Sequence, residues 1–143
     1  MHIQNIKVAA DAMVFCKDGD DLQLVLVKRK FEPGIGMWAL PGGFVEDDED
    51  LEPAALRELE EETGLKLNSL KQLHTFGKPG RDPRGRTVSV TYYTLLDEKL
   101  PVTGGDDAAE AHWVSVKDIK EMAFDHIEVL KFALTELRLS WFD

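Results

Sequence analysis

Cysteine is almost missing from this chain: Cys16 is the single example. An internal disulfide is therefore excluded, and a cysteine-based zinc site has no ligands to draw on. Long apolar runs are missing as well. Nothing approaches the roughly 18 consecutive apolar residues of a membrane helix, and the opening MHIQNIKVAADAMVF lacks the basic-then-apolar layout of a secretory leader. The expectation is a soluble, unexported protein in the reducing cytoplasm, with no membrane partner. Positive charge is scarce too, with 17 Lys and Arg against 27 Asp and Glu and a formal net charge of -10. Duplex nucleic-acid binders draw their affinity from cations that neutralise phosphates, so no nucleic-acid partner is expected. A small anion stays open, because a bound divalent ion is often the largest charge in its site.

What the sequence does contain suits one domain spanning 1–143. Its 143 residues, 43% of them hydrophobic and 31% charged, are enough to bury a real core. Residues 6–16 alternate as a strand does, and LQLVLVKRK (22–30) reads as a denser buried strand after the turn KDGDD, so the two form a hairpin. FEPGIGMWALPGG is a Gly/Pro-rich loop around the apolar piece Trp38-Ala39-Leu40. Residues 69–76 and 86–96 are strands separated by GKPGRDPRG, AHWVSV is a last strand, and a helical tail runs from about Ile127 to Leu139. This mixed order predicts an α/β layered fold.

The stretch GGFVEDDEDLEPAALRELEEETGL (42–65) gathers ten carboxylates around a single cation, Arg57. Pro53 fits a first helical turn and Gly64 a left-handed stop. Between them, at about 100° per residue, Leu51, Ala54, Ala55 and Leu59 form a buried ridge. Glu58, Glu61 and Glu62 cluster at its edge, while Glu60 points away. Like charges one turn apart each cost roughly 0.2–0.5 kcal/mol on a helix, and the C-terminal end of the helix dipole repels anions. Arg57 can pair with Glu61 at i,i+4, but one guanidinium cannot compensate three carboxylates. A divalent cation can, and an all-oxygen ligand set indicates a hard one, Mg²⁺ or Mn²⁺. Acidic helices are commonly no more than solvated faces; this one differs in bordering the apolar ridge.

Gly43, Glu49, Arg57-Glu58-Leu59, Glu61-Glu62 and Gly64-Leu65 match every fixed position of G-x5-E-x7-R-E-U-x-E-E-x-G-U. The segment 43–65 resembles the Nudix box, and GMWALPGGFVE and HWVSV are also similar to Nudix segments. The resemblance implies a Nudix-type α/β/α sandwich with a mixed sheet and a loop-helix-loop box, and hydrolysis of nucleoside diphosphates linked to another moiety. It implies Mg²⁺ or Mn²⁺ on Glu58, Glu61 and Glu62 with the backbone carbonyl of Gly42, and Arg57 and Glu49 orienting those ligands. Metals bridging the diphosphate would neutralise it, hold it in line and acidify the attacking water. Glu61 or Glu58 would accept the proton. Some family members use a carboxylate from a distant loop, and GGDDAAEAHW offers Asp106, Asp107 and, ranked first, Glu110.

Substrate choice lies outside the box. KPGRDPRGRTVSV concentrates Lys78, Arg81, Arg84 and Arg86 in an acidic protein, and arginine suits bidentate phosphate recognition. The alternative is a basic loop that merely offsets net charge. GRDPRGRTVSV resembles the corresponding segment of ADP-ribose pyrophosphatases and of ligand-sensing Nudix domains in NAD-metabolism repressors. One place departs: about sixteen residues past the box, where a proline often marks ADP-ribose hydrolases, stands Arg81 between Pro79 and Pro83. Arg29, at the end of the second strand, is a further candidate phosphate ligand. Trp38 is either core or a base-stacking ring, His74 and His112 read as structural, and Trp141-Phe142 either pack back or cover a homodimer interface. The leading reading is a Mg²⁺-dependent hydrolase of a small nucleoside diphosphate derivative, most plausibly ADP-ribose to AMP and ribose 5-phosphate. The alternatives are a sanitising hydrolase of oxidised nucleoside triphosphates and a non-catalytic sensor of ADP-ribose or NAD-related ligands; for the sensor, the chain is expected to leave no room for a DNA-binding domain after its last helix.

Overall fold

A computed structural model of the chain describes residues 2–105 and 108–139. Asp106, Asp107, Trp141 and Phe142 lie outside the described residues. The elements are β1 (Lys7–Asp18), β2 (Asp21–Arg29), β3 (Trp38–Ala39), β4 (Gly42–Phe44), α1 (Leu51–Thr63), β5 (Lys71–Phe76), β6 (Thr87–Leu96), β7 (Ala108–Ser115) and α2 (His126–Glu136), with a 3-10 turn at Val116–Asp118. The spine is β1. It runs parallel to β6 from Lys7↔Thr87 to Cys16↔Leu96. On its other edge it pairs antiparallel with β2 toward its end and with β4 toward its start. The path β3-β2-β1-β6-β5 is completed by β7 on the free edge of β2.

Helices cover both faces. Met13, Phe15, Leu24 and Leu26 pack against Val129, Leu130, Ala133 and Leu134 of α2. Ala10, Ala12, Val14 and Val25 pack under Ala54, Ala55 and Leu59 of α1. The result is the expected α/β/α sandwich, with one correction: β1 does not bury one alternate set, because Ala9 to Cys16 is buried throughout. A strand with a helix on each face has no solvated side, and Asp11 is therefore carried inside with its neighbours.

Three boundaries also differ from expectation. The Gly-Gly read as loop is the start of β4, whose pairing with Ala9, Ala10 and Asp11 leaves no apolar alternation to read. β7 begins at Ala108, so Glu110 sits in a strand rather than in an acidic loop. The tail helix stops at Glu136, because Arg138 turns left-handed (φ 56°) and the N–H groups of Leu139 and Arg138 bond back to the carbonyls of Leu134 and Thr135 at 2.8 and 3.2 Å, a Schellman end. Among the described residues no helix is long and apolar enough to cross a membrane.

One buried imidazole joins the layers. The His126 Nδ1, at the start of α2, accepts the Leu40 N–H at 3.0 Å and so ties α2 to the segment between β3 and β4. Burial holds its pKa down at about 4, with Arg81 and Arg29 adding to the depression and Asp125 and Asp82 opposing it. The unfolded chain takes up this proton near pH 6.5 and the folded one does not, so His126 removes stability as pH falls from about 6.5 toward 4. Asparagine offers an oxygen acceptor with no proton to gain. Denaturant titrations at pH 7 and pH 4.5 are expected to show wild type losing about 2 kcal/mol relative to His126→Asn over that interval. Equal losses in the two proteins would remove the imidazole from this account.

Candidate active site

The acidic helix starts and stops as its local chemistry dictates. The Asp50 carboxylate accepts the Leu51 N–H at 2.7 Å at the N-cap, and Gly64 takes φ 78° with its N–H on the Glu60 carbonyl at 2.9 Å. Arg57 then organises the carboxylates around it. Its Nε and Nη2 clasp Glu49 at 2.6 and 2.9 Å, its Nη1 reaches Glu58 at 2.9 Å and Glu61 at 3.2 Å, and Nη2 also meets the Phe44 carbonyl at 3.4 Å. The Arg57 clasp outweighs desolvation and holds Glu49 below the usual carboxylate range. The same partners, Glu49 foremost, push the guanidinium's own pKa up despite its partial burial. A planar fork with five donors is the side chain that can address three carboxylates at once.

Glu62 differs from its neighbours. It is buried, accepts the Gly42 N–H at 3.4 Å, and is pushed well above the carboxylate range by desolvation first and then by Glu58. Asp11, on β1, comes from the opposite side of the same place. Burial raises it to about 7, Arg81 pulling down and Asp125 and Glu58 pushing up, and its Oδ2 has no hydrogen-bond partner among the described residues. The two glycines between them have no room for a side chain. A Cβ on Gly43 would lie 2.7 Å from the Glu58 carboxyl, and one on Gly42 would lie 2.2 Å from Asp11 Oδ1.

These groups line a cleft of about 380 Å³. Its lining also includes Arg29, Arg81 and Arg84, together with Asp82, Phe124 and His126. Arg81 is fully engaged: Nε and Nη2 hold Asp125 at 3.0 and 2.8 Å, Nη1 holds Ser89 at 2.6 Å, and its side chain is 5% exposed. Arg84 is clasped by Asp82 at 3.1 and 2.9 Å and stays 43% exposed. Arg29 reaches the Pro33 carbonyl through Nε at 2.6 Å. Arg86 does not line the cleft and donates to the Gly77 carbonyl instead. Glu110 is also outside the lining; it faces Lys28 across the sheet and pairs with His112 at 2.8 Å. Trp38 packs at the edge of the core under Lys28, and His74 rests on Phe76 and Phe132. Asp11, Phe44, Phe124, Asp125 and His126 escaped the sequence reading. A charged residue inside an apolar strand was the one available signal, and it pointed to Asp11.

The model of the NUDIX domain matches residues 6–132 of the chain. The chain belongs to the NUDIX family. Its NUDIX relatives include an ADP-ribose pyrophosphatase of Methanocaldococcus jannaschii, 43% identical over 114 residues, covering 78% of this chain and 65% of the relative. Another is the ADPR responsive transcriptional repressor NtrR of Acinetobacter baylyi, 35% identical over 134 residues, covering 91% and 54%. The chain thus spans a little under two thirds of the first and about half of the second. Among solved structures, the NUDIX domain of Shewanella oneidensis NrtR complexed with ADP ribose superposes with a TM-score of 0.87 at 31% identity, covering 94% of this chain and 90% of that one.

The hard cation implied by the NUDIX box fits the residues present. The donors are all oxygen, Asp11 carries an orphan buried oxygen, and Glu62 is a desolvated carboxyl pressed against Glu58. Glu58 also fills the space that glycine leaves at position 43. Among the described residues no three acidic, His or Cys side chains form a ready-made cage, as expected where Arg57 holds two of the carboxylates. A hard divalent cation that takes few protein ligands and keeps waters beside them fits such a donor set.

Proposed function

We propose that this NUDIX domain is a Mg²⁺- or Mn²⁺-dependent pyrophosphohydrolase that cuts ADP-ribose to AMP and ribose 5-phosphate. The observation that carries the reading is that one cleft is lined both by the carboxyls of Glu58, Glu62 and Asp11 and by the guanidinium groups of Arg29 and Arg84. Glu58, Glu61 and Glu62, with the Gly42 carbonyl, are the residues to hold the ion. Bound there, the ion supplies neutralisation of the diphosphate and an attacking water of lowered pKa. Arg57 and Glu49 fix the carboxylates, and Arg84 and Arg29 receive phosphate oxygens. Water adds to one phosphorus, the anhydride P–O bond breaks, and the water's proton passes to a glutamate. Glu61 suits that role better than Glu58, its side chain being 40% exposed against 15%. Glu61 and Glu110 both lie outside the cleft lining, but Glu61 shares the Arg57 fork with Glu58, which lines it, whereas Glu110 pairs with His112 and has no part in this scheme. The similarity to the ADP-ribose pyrophosphatase and to the ADP-ribose complex supports the substrate. A small molecule in a cytoplasm that keeps buried Cys16 reduced is the partner proposed, with no role for nucleic acid or membrane.

The similarity to the repressor favours a second reading, a sensor that binds ADP-ribose without turning it over. Purified protein incubated with Mg²⁺ and a panel of ADP-ribose, dinucleoside polyphosphates, nucleotide sugars, NADH and 8-oxo-dGTP separates the readings. AMP and ribose 5-phosphate are expected from ADP-ribose, and not from the Glu61→Gln variant. Turnover of another compound would overturn the substrate, and tight binding of ADP-ribose with the whole panel intact would establish the sensor.

A further inference from the structure

Four side chains from four separate segments stack beside the cleft. The Arg29 guanidinium, at the end of β2, lies over the Phe124 ring at 4.7 Å from its centroid, and the Arg84 guanidinium lies over the same ring at 5.3 Å. Arg84 also lies over Phe44, on β4, at 5.0 Å. Phe44 follows Gly43 directly and gives its carbonyl to Arg57, so the stack reaches from the NUDIX box to the mouth of α2. Phe124 occupies its place at φ 55°. A bulky residue is a rare occupant of the left-handed region, and such outliers gather where the surroundings over-determine a functional geometry.

A guanidinium over an aromatic face is attracted by the ring quadrupole while its N–H edge stays available for an anion. The edge contacts stiffen the arrangement further. Asp82, whose pKa is held below the usual range by Arg84 against the effect of burial, clasps Arg84 through Nε and Nη2, and Pro33 receives Nε of Arg29. Asp82 takes one edge of Arg84 and offsets part of the repulsion between two cations drawn to one ring, and a ligand anion between them would offset more. Both line the cleft that Asp11, Glu58 and Glu62 also line.

We propose that Phe124 is a positioning residue that sets Arg29 and Arg84 as a paired anion clamp, and that this clamp selects substrates by a phosphate held at the two guanidinium groups. The idea rests on the functional reading above for its substrate, but the clamp is a property of the cleft that binding alone can test. Phe124 acts through the two arginines, so its loss appears mainly in KM and spares kcat.

The test uses the full chain as wild type, Phe124→Leu, Phe124→Gly and Phe124→Tyr. Glycine takes a positive φ without steric cost, so Phe124→Gly removes the ring and keeps the turn even if the leucine variant misfolds. Calorimetry with inorganic pyrophosphate in the presence of chelator is expected to show binding by wild type, weakened roughly 10-fold in the Leu and Gly variants and restored to within about 2-fold in Phe124→Tyr. With Mg²⁺ and ADP-ribose, KM is expected to rise by a similar factor, with kcat held to within about 2-fold. Equal pyrophosphate binding by wild type and the ring-less variants overturns the clamp, as does no binding by any. A fall in kcat with KM unchanged overturns it too. Should wild type leave ADP-ribose intact, the hydrolase reading fails, and the clamp still stands or falls on pyrophosphate.

Discussion

Glu62→Gln is expected to melt about 5 °C above wild type in metal-free buffer near pH 8, and to hydrolyse ADP-ribose at least ~10²-fold more slowly. The two effects share a cause. Glu62 is buried beside Glu58 and near Asp11, and its pKa is raised because its charged form has lost water and gained anionic neighbours. A carboxyl with a raised folded-state pKa favours the folded chain at low pH and loses that advantage as pH rises past the usual carboxylate range. Near pH 8 the folded chain must keep this carboxyl protonated although the unfolded chain has released the proton, which opposes folding by roughly 1–3 kcal/mol. Glutamine keeps an oxygen for the Gly42 N–H and has no proton to give up. It also removes an anionic ligand. Thermal unfolding with chelator and then with Mg²⁺ reads both halves: Mg²⁺ should raise wild type and leave the variant nearly unmoved. A variant that melts lower than wild type without metal, or that gains as much from Mg²⁺, would contradict the assignment of Glu62 to the ion.

Adjacent glycines give opposite results when each is replaced by alanine. Gly42→Ala is expected to lose about 3 kcal/mol of stability, near the upper end for forced overpacking. Its Cβ would lie 2.6 Å from the Ala10 carbonyl oxygen and 2.9 Å from the Asp11 Cα, both backbone atoms of β1, besides the Asp11 carboxylate. Relief requires β4 to leave its partner strand. Gly43→Ala meets the carboxyl end of Glu58, a flexible group that can swing aside. Its melting temperature should stay within about 2 °C of wild type, while turnover falls roughly 10–100-fold as Glu58 is displaced from the Arg57 fork. Denaturant titration and steady-state rates on the two variants check the contrast. Comparable stability loss in both would mean that Glu58 is as fixed as backbone.

The acidic half of the site was legible because it is local. Glu49, Arg57, Glu58, Glu61 and Glu62 lie on one helix and the loop before it, where angular spacing alone brings side chains together, and the fork of Arg57 on Glu61 is the i,i+4 contact that spacing predicts. The two-helix sandwich was legible for a similar reason, from apolar stripes and turn residues. The cationic half was named residue by residue and not as an arrangement. Arg81, taken as a phosphate reader, is instead enclosed by Asp125 and Ser89. That enclosure draws the loop before β6, Ser89 of β6 and the residue ahead of α2 onto one guanidinium, which no local pattern encodes. Phe124 gave no signal at all, since an isolated phenylalanine before a helix reads as core. Asp11 gave one, a charge in an apolar strand, but the alternation of β1 drew attention to the even-numbered positions.

The pairing of β1 with β6 also has a consequence for how the molecule is made. Lys7 finds its partner in Thr87 and Cys16 in Leu96, so the central seam joins two strands far apart along the chain. Contacts so distant along the chain form slowly, because the intervening loop must close before they contribute. On the ribosome, the β1–β2 hairpin and the acidic helix emerge well before β6 can lock beside β1. Until then the edge of β1 that β6 will cover is open to other chains. The interval between the emergence of β1 and that of β6 is the one in which a chaperone would matter most to this domain.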